Sequence, residues 1–496
     1  MNHSHFDLFV VGGGINGTGI AADAAGRGLN VGLCEMGDLA HATSSSSSKL
    51  IHGGLRYLEH YEFRLVKEAL NEREVLLKIA PHLVTPMRFQ MPHRPHLRPA
   101  WLIRIGLFLY DNLGKRETLL GSKGVKYGSD SPLKTDITQG FEYSDCWVDD
   151  ARLVVTNALS AQENGTHIFA RTRCTSAKRV NGQWLISLED QITKEIHSVT
   201  AKALVNAAGP WVSSFIETKL EQKAPYGIRM IKGSHIVVPK LYEHSNAFIM
   251  QNTDKRIVFA IPYRENYTLL GTTDVEYKGD PNDVVINDEE TNYILNVAND
   301  HFKKALTPED VVWSYSGVRP LLEDESSDPS AVTRDYTLHL DDQENQAPLL
   351  SIFGGKITTY RKLALSAMRK LEPYFEDLGA AWTHGKPLPG GDLRMSLDAF
   401  AIKLQQDYTF INAGLARRFT NSYGTLTHLL LNKANSESDL GQNFGNSLYQ
   451  VEVDYLISHE WARTAEDILW RRTKLGLEFS TEQVAALEKY IDSKTT

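Results

Sequence analysis

The chain has 496 residues, of which 42% are apolar and 23% are charged, and its formal net charge is −8 at pH 7. This length exceeds what one compact core holds, so two or three domains are expected. The acidic balance argues against a protein that coats nucleic acid, because such a protein needs a basic surface. The three cysteines, Cys34, Cys146 and Cys174, lack metal-binding spacing and cannot all pair, which favours a reduced cytoplasmic setting without a metal site.

The first predicted element is an apolar buried strand, residues 8–11, that runs directly into the pattern Gly12-x-Gly14-x-x-Gly17. A helix of small residues follows it. In a dinucleotide-binding fold Gly12 allows the tight turn, Gly14 lets the backbone approach a pyrophosphate, and Gly17 lets the helix pack closely on the strand. The N-terminus of that helix then offers free N–H groups and partial positive charge to the phosphates.

A second strand is predicted over Val31–Cys34, and Glu35 follows it, 18 residues after Gly17. A carboxylate at that position can accept hydrogen bonds from both ribose hydroxyls. The order strand, glycines, helix, strand and terminal acid predicts a dinucleotide site, whereas the glycines alone would be weak support. The pattern begins at residue 6, so no signal peptide is expected before it.

A hydroxyl-rich segment, Thr43–Ser48, continues through Lys49–Gly54 towards a long helix predicted over residues 58–80, which Pro81 ends. Hydroxyl groups suit phosphate oxygens, and adjacent glycines suit close approach to a flat ring. The alternative is a flexible linker, but linkers seldom continue directly into Gly-Gly-Leu-Arg and a helix. We therefore predict that this segment contacts the cofactor.

The segment Trp101–Tyr110 comes nearest to a membrane span, but it has only ten residues and includes Arg104, whereas a span needs about 20. The apolar residues on one side of this helix are Trp101, Ile105, Phe108 and Leu109. Residues 88–116 contain six basic residues and one acidic residue. Two interpretations stay open: an interfacial helix on anionic lipid, or a core helix with a solvated basic flank.

Two later segments repeat the order of strand, glycine and helix. Residues 203–211 form an apolar strand that ends in small residues, and residues 349–360 run through two glycines into a helix over Tyr360–Leu371. Each alone is a common strand-to-helix turn. Together with the first glycine pattern they indicate one extended cofactor contacted by separated parts of the chain, and FAD fits this better than NAD. Because only one glycine pattern is present, the substrate would reduce the flavin, and a quinone, oxygen or a partner protein would reoxidise it.

The pattern predicts two or three strands over residues 183–206. It predicts a separate antiparallel sheet over residues 226–275, which are rich in β-branched and aromatic residues. The clearest linker is Lys386–Gly391, and the chain beyond it reads as mostly helical to Thr496.

Eight motifs resemble the FAD-dependent aerobic sn-glycerol-3-phosphate dehydrogenases of bacteria, over essentially the whole chain. These motifs are Val11–Gly19, Ser47–Tyr57, Tyr143–Arg152, Ile231–Pro239, Gly271–Asp274, Ser316–Leu321, Thr333–Tyr336 and Phe353–Lys362. The resemblance implies oxidation of glycerol 3-phosphate to dihydroxyacetone phosphate, with electrons passed through FAD to a membrane quinone. It also implies a homodimer that is peripheral on the inner, cytoplasmic face of the membrane and contacts anionic lipid. The Trp101 region is then the favoured lipid contact, and basic residues near the C-terminus are the alternative. No nucleic acid partner is expected, because the net charge is acidic.

The resemblance, together with the predicted elements, implies an α/β fold: an FAD-binding Rossmann-like domain with an inserted antiparallel β-sheet substrate (cap) domain, and a mainly helical C-terminal domain. The oxidoreductase region is predicted at 1–390 and the helical domain at 391–496. FAD-binding segments are expected at roughly 1–90, 145–225 and 346–385, and substrate segments at roughly 91–144 and 226–345.

The resemblance also assigns roles to individual residues. Arg319 and Arg334 match positions associated with the substrate phosphate, and an arginine fork can bind two phosphate oxygens at once. Arg56 and Tyr57 would flank the substrate beside the flavin ring, and Thr272 is a weaker hydrogen-bonding candidate.

His235 is the first choice as proton acceptor, since a neutral imidazole can take a hydroxyl proton near pH 7; a buried structural histidine is the alternative. Lys356 would either stabilise the anionic reduced flavin or hold a water molecule near N5. The predicted catalytic residues are His235, Lys356, Arg319 and Arg56. The predicted substrate-binding residues are Arg56, Tyr57, His235, Thr272, Arg319 and Arg334. The predicted cofactor-binding residues are Gly12, Gly14, Ile15, Asn16, Gly17, Glu35, Thr43, Ser44, Ser48, Lys49, Leu50, His52, Gly53, Arg173, Ala208, Gly209, Trp211, Gly354, Gly355, Lys356 and Thr358.

Rival functions are an oxidase that passes the same electrons to oxygen, a non-enzymatic flavin-binding sensor or membrane scaffold, and an amine-oxidising flavoenzyme of the same fold. The basic amphipathic stretch favours the quinone route over oxygen. The number of cationic candidates disfavours the other two functions.

Overall fold

The computed structural model describes residues 4–95, 97–252, 254, 256–322, 335–343 and 346–495. The strands are β1 Ser4–Val11, β2 Val31–Cys34, β3 Leu50–Ile51, β4 Val84–His93, β5 Lys123–Lys126, β6 Gln139–Val148, β7 His167–Phe169, β8 Thr172–Val180, β9 Gln183–Asp190, β10 Ile196–Asn206, β11 Ile228–Pro239, β12 Ala247–Gln251, β13 Ile257–Tyr263, β14 Tyr267–Gly271, β15 Val275–Tyr277, β16 Trp313–Leu322, β17 Tyr336–Asp341 and β18 Leu349–Gly354.

The α-helices are α1 Ile15–Gly26, α2 Phe63–Ile79, α3 Ala100–Asn112, α4 Asp150–Glu163, α5 Val212–Lys219, α6 Asp288–His301, α7 Tyr360–Leu371, α8 Leu397–Asp407, α9 Ala413–Tyr423, α10 Thr427–Leu430, α11 Gln450–His459 and α12 Thr481–Thr495. A π-helical turn spans Asp467–Arg472. Short 3₁₀ helices lie at Thr43–Ser45, Leu55–His60, Gly209–Trp211, Pro281–Asp283, Pro308–Asp310, Ile357–Thr359, Glu372–Tyr374, Gly424–Leu426, Glu437–Leu440 and Gly476–Glu478.

The first sheet has a parallel centre. Its strand order is β17-β18-β10-β1-β2-β7, with β17 antiparallel at one edge and the β8–β9 pair added to β10. Both faces are buried, which is why its strands are almost continuously apolar. Leu8 and Val10 of β1 face α1, α4 and α7, while Phe6 and Phe9 face α5 on the other side.

The second sheet confirms the antiparallel sheet predicted around residues 226–275. Its order is β15-β11-β14-β13-β12-β4-β6-β3, with β16 added to β11 and β5 to β6. The pair β12–β4 is parallel, and the other pairings are antiparallel. Helix α6 covers one face, and α2 and α3 pack on the other.

The helix predicted over 58–80 is wrong in its first part. A 3₁₀ helix, Leu55–His60, comes first, and α2 begins only at Phe63. Tyr61 lies between them with φ +61°, a left-handed conformation that ends one helix and redirects the chain. The predicted strand Val31–Cys34 and the predicted helix Tyr360–Leu371 match the structure residue for residue.

The predicted linker Lys386–Gly391 is packed rather than free. Leu388 is buried, and its N–H donates to the carbonyl oxygen of Ile79 at 2.8 Å. Gly390 has φ +85°, and a Cβ atom there would overlap the carbonyl oxygen of Tyr423. The chain beyond it is mainly helical, as predicted, and its helices share one apolar core. The predicted domain boundaries themselves stay a prediction.

All three cysteines are unpaired and buried: Cys34 in β2, Cys146 in β6 and Cys174 in β8. In the described ranges, no group of His, Cys, Asp and Glu side chains could hold a metal ion. Nor does any α-helix of those ranges have the length and apolar content that crossing a bilayer requires.

The contact between Gly17 and the glycine turn generates a stability prediction. A Cβ atom at Gly17 would overlap the carbonyl oxygen of Gly12, so Gly17→Ala must push α1 away from β1. We expect a loss of about 1–3 kcal/mol in the free energy of unfolding, as in other overpacked sites, measured by urea denaturation. The control is Gly106→Ala in α3, where a Cβ atom has open space. It should be neutral or stabilising, and equal behaviour of the two variants would contradict the prediction.

Candidate functional site

A cavity of about 650 Å³ lies where the carboxyl ends of β1, β10 and β18 meet the second sheet. The predicted residues that line it are Gly12, Gly14, Ile15, Asn16, Glu35, Thr43, Ser44, Ser48, Leu50, His52, Arg56, Tyr57, Arg173, Ala208, Gly209, Trp211, Thr272, Arg319, Gly354, Gly355, Lys356 and Thr358. The structure therefore brings together segments that are hundreds of residues apart in sequence. Their individual roles stay predictions.

Five predicted site residues are not among those shown to line the cavity. Gly17, Lys49, Gly53 and His235 are not among the residues that line the cavity. Arg334 lies outside the described residues.

The N-terminus of α1 points into the cavity from the glycine turn. Gly12 has φ +114°, and a Cβ atom there would overlap the carbonyl oxygen of Ala207. The N–H of Ile15, in the first turn of α1, donates to the Ser44 hydroxyl at 3.0 Å. Asn16 donates to the carbonyl oxygen of Gly354 at 3.2 Å, so the turns after β1 and β18 are joined here. The buried Oδ1 of Asn16 has no partner among the described residues, and an oxygen in that state suits a ligand that donates to it.

Glu35 is fixed at the end of β2 by backbone donors. Its two carboxylate oxygens accept from the N–H of Gly13 at 2.7 Å and of Gly37 at 2.8 Å, and His41 lies 3.3 Å away. Burial alone would raise the pKa of Glu35, but the His41 ring and the two N–H groups outweigh it and hold the pKa below its ordinary value. The pKa of His41 is raised in turn, because Glu35 outweighs the effect of burial.

The serine segment lies along the cavity, but its lysine turns away. Thr43 donates to the carbonyl oxygen of Val318 at 2.7 Å, and Ser47 donates to Asp150 at 2.7 Å. Lys49 has φ +57° and directs its buried ammonium group to Asp150 at 2.9 Å. This ion pair explains why Lys49 does not face the cavity as expected.

Several of the residues that line the cavity are cationic. The Lys356 ammonium group lies 3.7 Å from the centre of the Tyr57 ring, a cation–π contact. Arg319 forms an ion pair with Asp274 and donates to the Thr272 hydroxyl at 3.3 Å. Arg56 also lines the cavity.

His235 is buried one layer behind the cavity wall. Its Nε2 lies 2.9 Å from the hydroxyl of Ser48, and Tyr315 stacks on the ring at 4.8 Å between centroids. Burial, followed by the nearby charges of Arg319 and Lys49, lowers the pKa of His235 well below its ordinary value. The imidazole is therefore neutral at pH 7, and Ser48 separates it from the cavity.

Gly53 also belongs to the second layer. Its N–H donates to the Tyr110 hydroxyl at 2.8 Å, and that hydroxyl donates to the buried Asp145. Arg73 forms an ion pair with Asp145 at 2.6 Å. This network holds the backbone just before Arg56, so Gly53 contributes backbone position rather than a cavity surface.

Sequence reasoning missed several lining residues. Asp274 lies in a motif used for the resemblance, and His41 follows Glu35 closely, so both were within reach of motif reasoning. Tyr143, Ile249 and Phe259 belong to the second sheet. Their apolar character is that of any buried strand, so no pattern distinguished them.

The comparisons with known proteins agree with this geometry. Residues 7–361 match the family described as FAD dependent oxidoreductase, and residues 381–493 match the C-terminal domain of alpha-glycerophosphate oxidase. A glycerol-3-phosphate dehydrogenase from Pseudomonas aeruginosa is 60% identical over 99% of this chain and 95% of its own. The chain belongs to the FAD-dependent glycerol-3-phosphate dehydrogenase family.

Other members of the family show the same full-length match. The aerobic glycerol-3-phosphate dehydrogenase of Escherichia coli is 58% identical, over 98% of this chain and 97% of its own. A D-erythritol 1-phosphate dehydrogenase from Brucella abortus is 49% identical, over 98% of each chain. The crystal structure of the Bacillus halodurans glycerol-3-phosphate dehydrogenase complexed with FAD superimposes with a TM-score of 0.73 at 26% identity, covering 99% of this chain and 94% of that one.

FAD is the cofactor, and the residues present fit it. A Cβ atom at Gly14 would lie 3.1 Å from the Ser44 hydroxyl oxygen. Without a side chain, this position leaves room for a pyrophosphate at the helix N-terminus. Glu35 stands at the ribose position of the fold. The partnerless Oδ1 of Asn16 and the two glycines after β18 lie on the same wall of the cavity.

The coupling of Glu35 and His41 generates a pH prediction. Because the folded pKa of Glu35 is depressed, its stabilisation is present above the ordinary value of 4.5 and is lost as the pH falls through the folded value. Glu35→Gln should destabilise the fold by about 1–3 kcal/mol near pH 7, since one amide N–H loses its acceptor. Below pH 4.5 the variant should also lose the part of the acid destabilisation that Glu35 contributes, so its stability should fall less steeply than that of the wild type.

The same variant has a second readout in the His41 titration, followed by NMR. With the carboxylate removed, burial and the Arg471 charge outweigh the opposing Asp38 charge, so the pKa of His41 should fall from above to below the ordinary value of 6.5. An unchanged His41 titration would contradict the coupling.

Proposed function

We propose that the protein oxidises sn-glycerol 3-phosphate to dihydroxyacetone phosphate, with hydride transfer to flavin N5 and passage of the electrons to a membrane quinone. The observation that carries this proposal is that one cavity combines two kinds of lining. The glycine turn and Glu35 line it, and so do Arg56, Arg319 and Lys356. A phosphorylated alcohol matches these cationic residues.

Bound FAD supplies the hydride acceptor for this reaction. The chain's own residues bind and orient the alcohol. Arg319 and Arg56 bind the phosphate, and Thr272 and Asp274 hold the Arg319 guanidinium in place. Arg334 shares the phosphate according to the resemblance. Lys356 places a positive charge beside Tyr57, where it either balances developing negative charge or orients a water molecule.

The proton of the alcohol leaves through Ser48 and His235. The Ser48 hydroxyl lines the cavity and is hydrogen-bonded to Nε2 of the neutral His235. Ser48 takes the substrate proton as it passes its own to the imidazole. This path keeps His235 as the final acceptor although it does not itself line the cavity.

Helix α3 supports attachment to the membrane surface. Trp101 and Phe108 are 64% and 65% exposed, and Ile105 is 49% exposed, so this apolar side faces solvent, which favours the interfacial helix over a core helix. The basic flank is less available than the sequence implied. Arg88, Arg94, Arg98 and Arg116 each form an ion pair with an acidic residue. Apolar contact is therefore the main attraction for lipid, and a quinone in the same bilayer is favoured over oxygen as acceptor. The homodimer stays a prediction.

The reaction itself is tested by anaerobic addition of glycerol 3-phosphate to the flavin-loaded protein, which should bleach the flavin absorbance. Arg319→Ala should raise the half-saturating substrate concentration at least about 30-fold, because loss of one charged hydrogen-bond partner costs roughly 2–5 kcal/mol. Arg334→Ala should act in the same direction. The control is Arg229→Ala on β11, since Arg229 pairs with Glu276 and does not line the cavity.

Absence of bleaching by glycerol 3-phosphate would overturn the proposed substrate. An unchanged half-saturating concentration in Arg319→Ala would remove that residue from the phosphate site. Reoxidation by a soluble quinone, compared with peroxide formation in air, separates the dehydrogenase from the oxidase.

The membrane contact is tested by co-sedimentation with vesicles of neutral and anionic phospholipid. Burying one large apolar side chain contributes roughly 1.5–3 kcal/mol, so replacing Trp101 and Phe108 with serine should weaken binding at least about tenfold. The control is Ile192→Ser, which removes a side chain of similar exposure away from α3. Equal binding of the two variants would contradict the role of α3.

A further inference from the structure

A group of buried charges joins the C-terminal helical domain to the loop after β2. The Arg472 guanidinium binds both oxygens of Asp38, at 2.8 and 2.7 Å. Arg471 binds the same carboxylate through Nε at 2.6 Å. Asp38 and Arg472 are almost fully buried, so neither can exchange its partner for water. The position of this loop is therefore set by two arginines more than 430 residues further along the chain.

The loop that Asp38 belongs to is the one that carries the ribose-side carboxylate. Asp38 is three residues after Glu35, and its carbonyl oxygen accepts from the N–H of His41 at 3.2 Å. Gly37 donates its N–H to Glu35. Any displacement of Asp38 thus moves both the carboxylate and the imidazole that faces it.

A second contact holds the same loop from its other side. The carbonyl oxygen of Gly37 accepts from the N–H of Arg171 at 2.9 Å, and the Arg171 side chain forms an ion pair with Asp467. Arg471 also binds Asp467, at 2.6 Å. Burial alone would raise the pKa of Asp467, but Arg471 and Arg171 lower it to about 2, so the carboxylate stays charged. The π-helical turn therefore holds the loop directly at Asp38, and indirectly at Gly37 through Arg171, whose side chain pairs with Asp467 of that turn.

Asp38, Arg171, Asp467, Arg471 and Arg472 do not line the cavity, and the proposed function assigns them no role. We propose that Arg471 and Arg472 are positioning residues for the adenosine half of FAD, acting through Asp38 on the loop Glu35–His41. The C-terminal domain thereby contributes to cofactor retention without touching the cofactor. This inference rests on FAD as the cofactor and does not depend on the substrate.

The test is the rate at which FAD leaves the diluted holoenzyme, followed by the fluorescence increase of released FAD. Arg471→Ala should release FAD at least about tenfold faster than the wild type, and Arg471→Lys, which keeps the charge, should lie between them. Hydrogen exchange of the amides of residues 36–41 should increase in the same order. The concentration of glycerol 3-phosphate that half-bleaches the bound flavin should stay unchanged, because the residues proposed to bind the substrate are not altered.

The matched control is Arg418→Ala. The Arg418 side chain is only 11% exposed and forms an ion pair with the buried Glu452, at 2.6 and 2.7 Å, wholly within the C-terminal domain. It should lower the melting temperature while FAD leaves at the wild-type rate. A general destabilisation of the domain would instead accelerate release in both variants and would overturn the proposal.

If Arg471→Ala yields no folded holoenzyme, Arg471→Lys and Arg171→Gln carry the test, since each leaves the backbone contacts in place. Both should release FAD faster than Arg418→Ala. Release at the wild-type rate from folded Arg471→Lys and Arg171→Gln would overturn the proposal. Failure of glycerol 3-phosphate to bleach the flavin would leave these release rates unaffected, so the two proposals fail separately.

Discussion

The close approach of α1 to the end of β1 is the constraint on which the rest of the site depends. Only a residue without a side chain fits at Gly17, directly against the Gly12 carbonyl group. That approach fixes where the helix N-terminus points, and the turn it closes supplies the Gly13 N–H that orients Glu35. Asn16, one residue before Gly17, then joins this turn to the one after β18. One steric contact therefore links the direction of the helix N-terminus to the positions of Glu35 and of the turn after β18.

Buried ion pairs fix the relative positions of segments that lie far apart in the sequence. Removing charges from water is expensive, and a buried pair is stable only when each partner is held in good geometry. Three of these pairs join separate segments: Lys49 with Asp150, Arg361 with Glu72, and Arg472 with Asp38. The first and third fix a loop relative to a helical segment, and the second joins helices α7 and α2. The hydrophobic cores hold the layers together, and the buried ion pairs fix how separate segments lie relative to one another.

The sequence sufficed for elements whose pattern is local. Helix α7 and strand β2 were predicted at their observed limits, because an apolar run or a helical period needs no distant partner. The glycine turn was recognisable because every residue in it has a steric or hydrogen-bonding purpose. The cavity lining followed from motifs that lie at strand ends, where the fold brings them together.

Side-chain direction in loops was not predictable. Lys49 and Tyr61 have positive φ values, which turn the chain in ways that residue type does not indicate outside glycine. The burial of His235 depends on Tyr315 and Ser48, both far away in sequence. The basic stretch around α3 looked free because its acidic partners, such as Glu142 and Asp136, lie on other elements. Most residues that the resemblance assigned to the site line the cavity, but the resemblance could not separate the wall of the cavity from the layer behind it.

The three buried cysteines could show, by chemical labelling, which part of the folded protein opens. Burial raises the pKa of Cys34 and Cys146 well above the ordinary value and that of Cys174 to about 12, so almost no reactive thiolate exists at neutral pH. An alkylating reagent would meet a thiolate only where the chain opens. Because Cys34 and Cys174 lie in the first sheet and Cys146 in the second, the order in which they become labelled would distinguish local loosening around the dinucleotide from opening of the substrate layer.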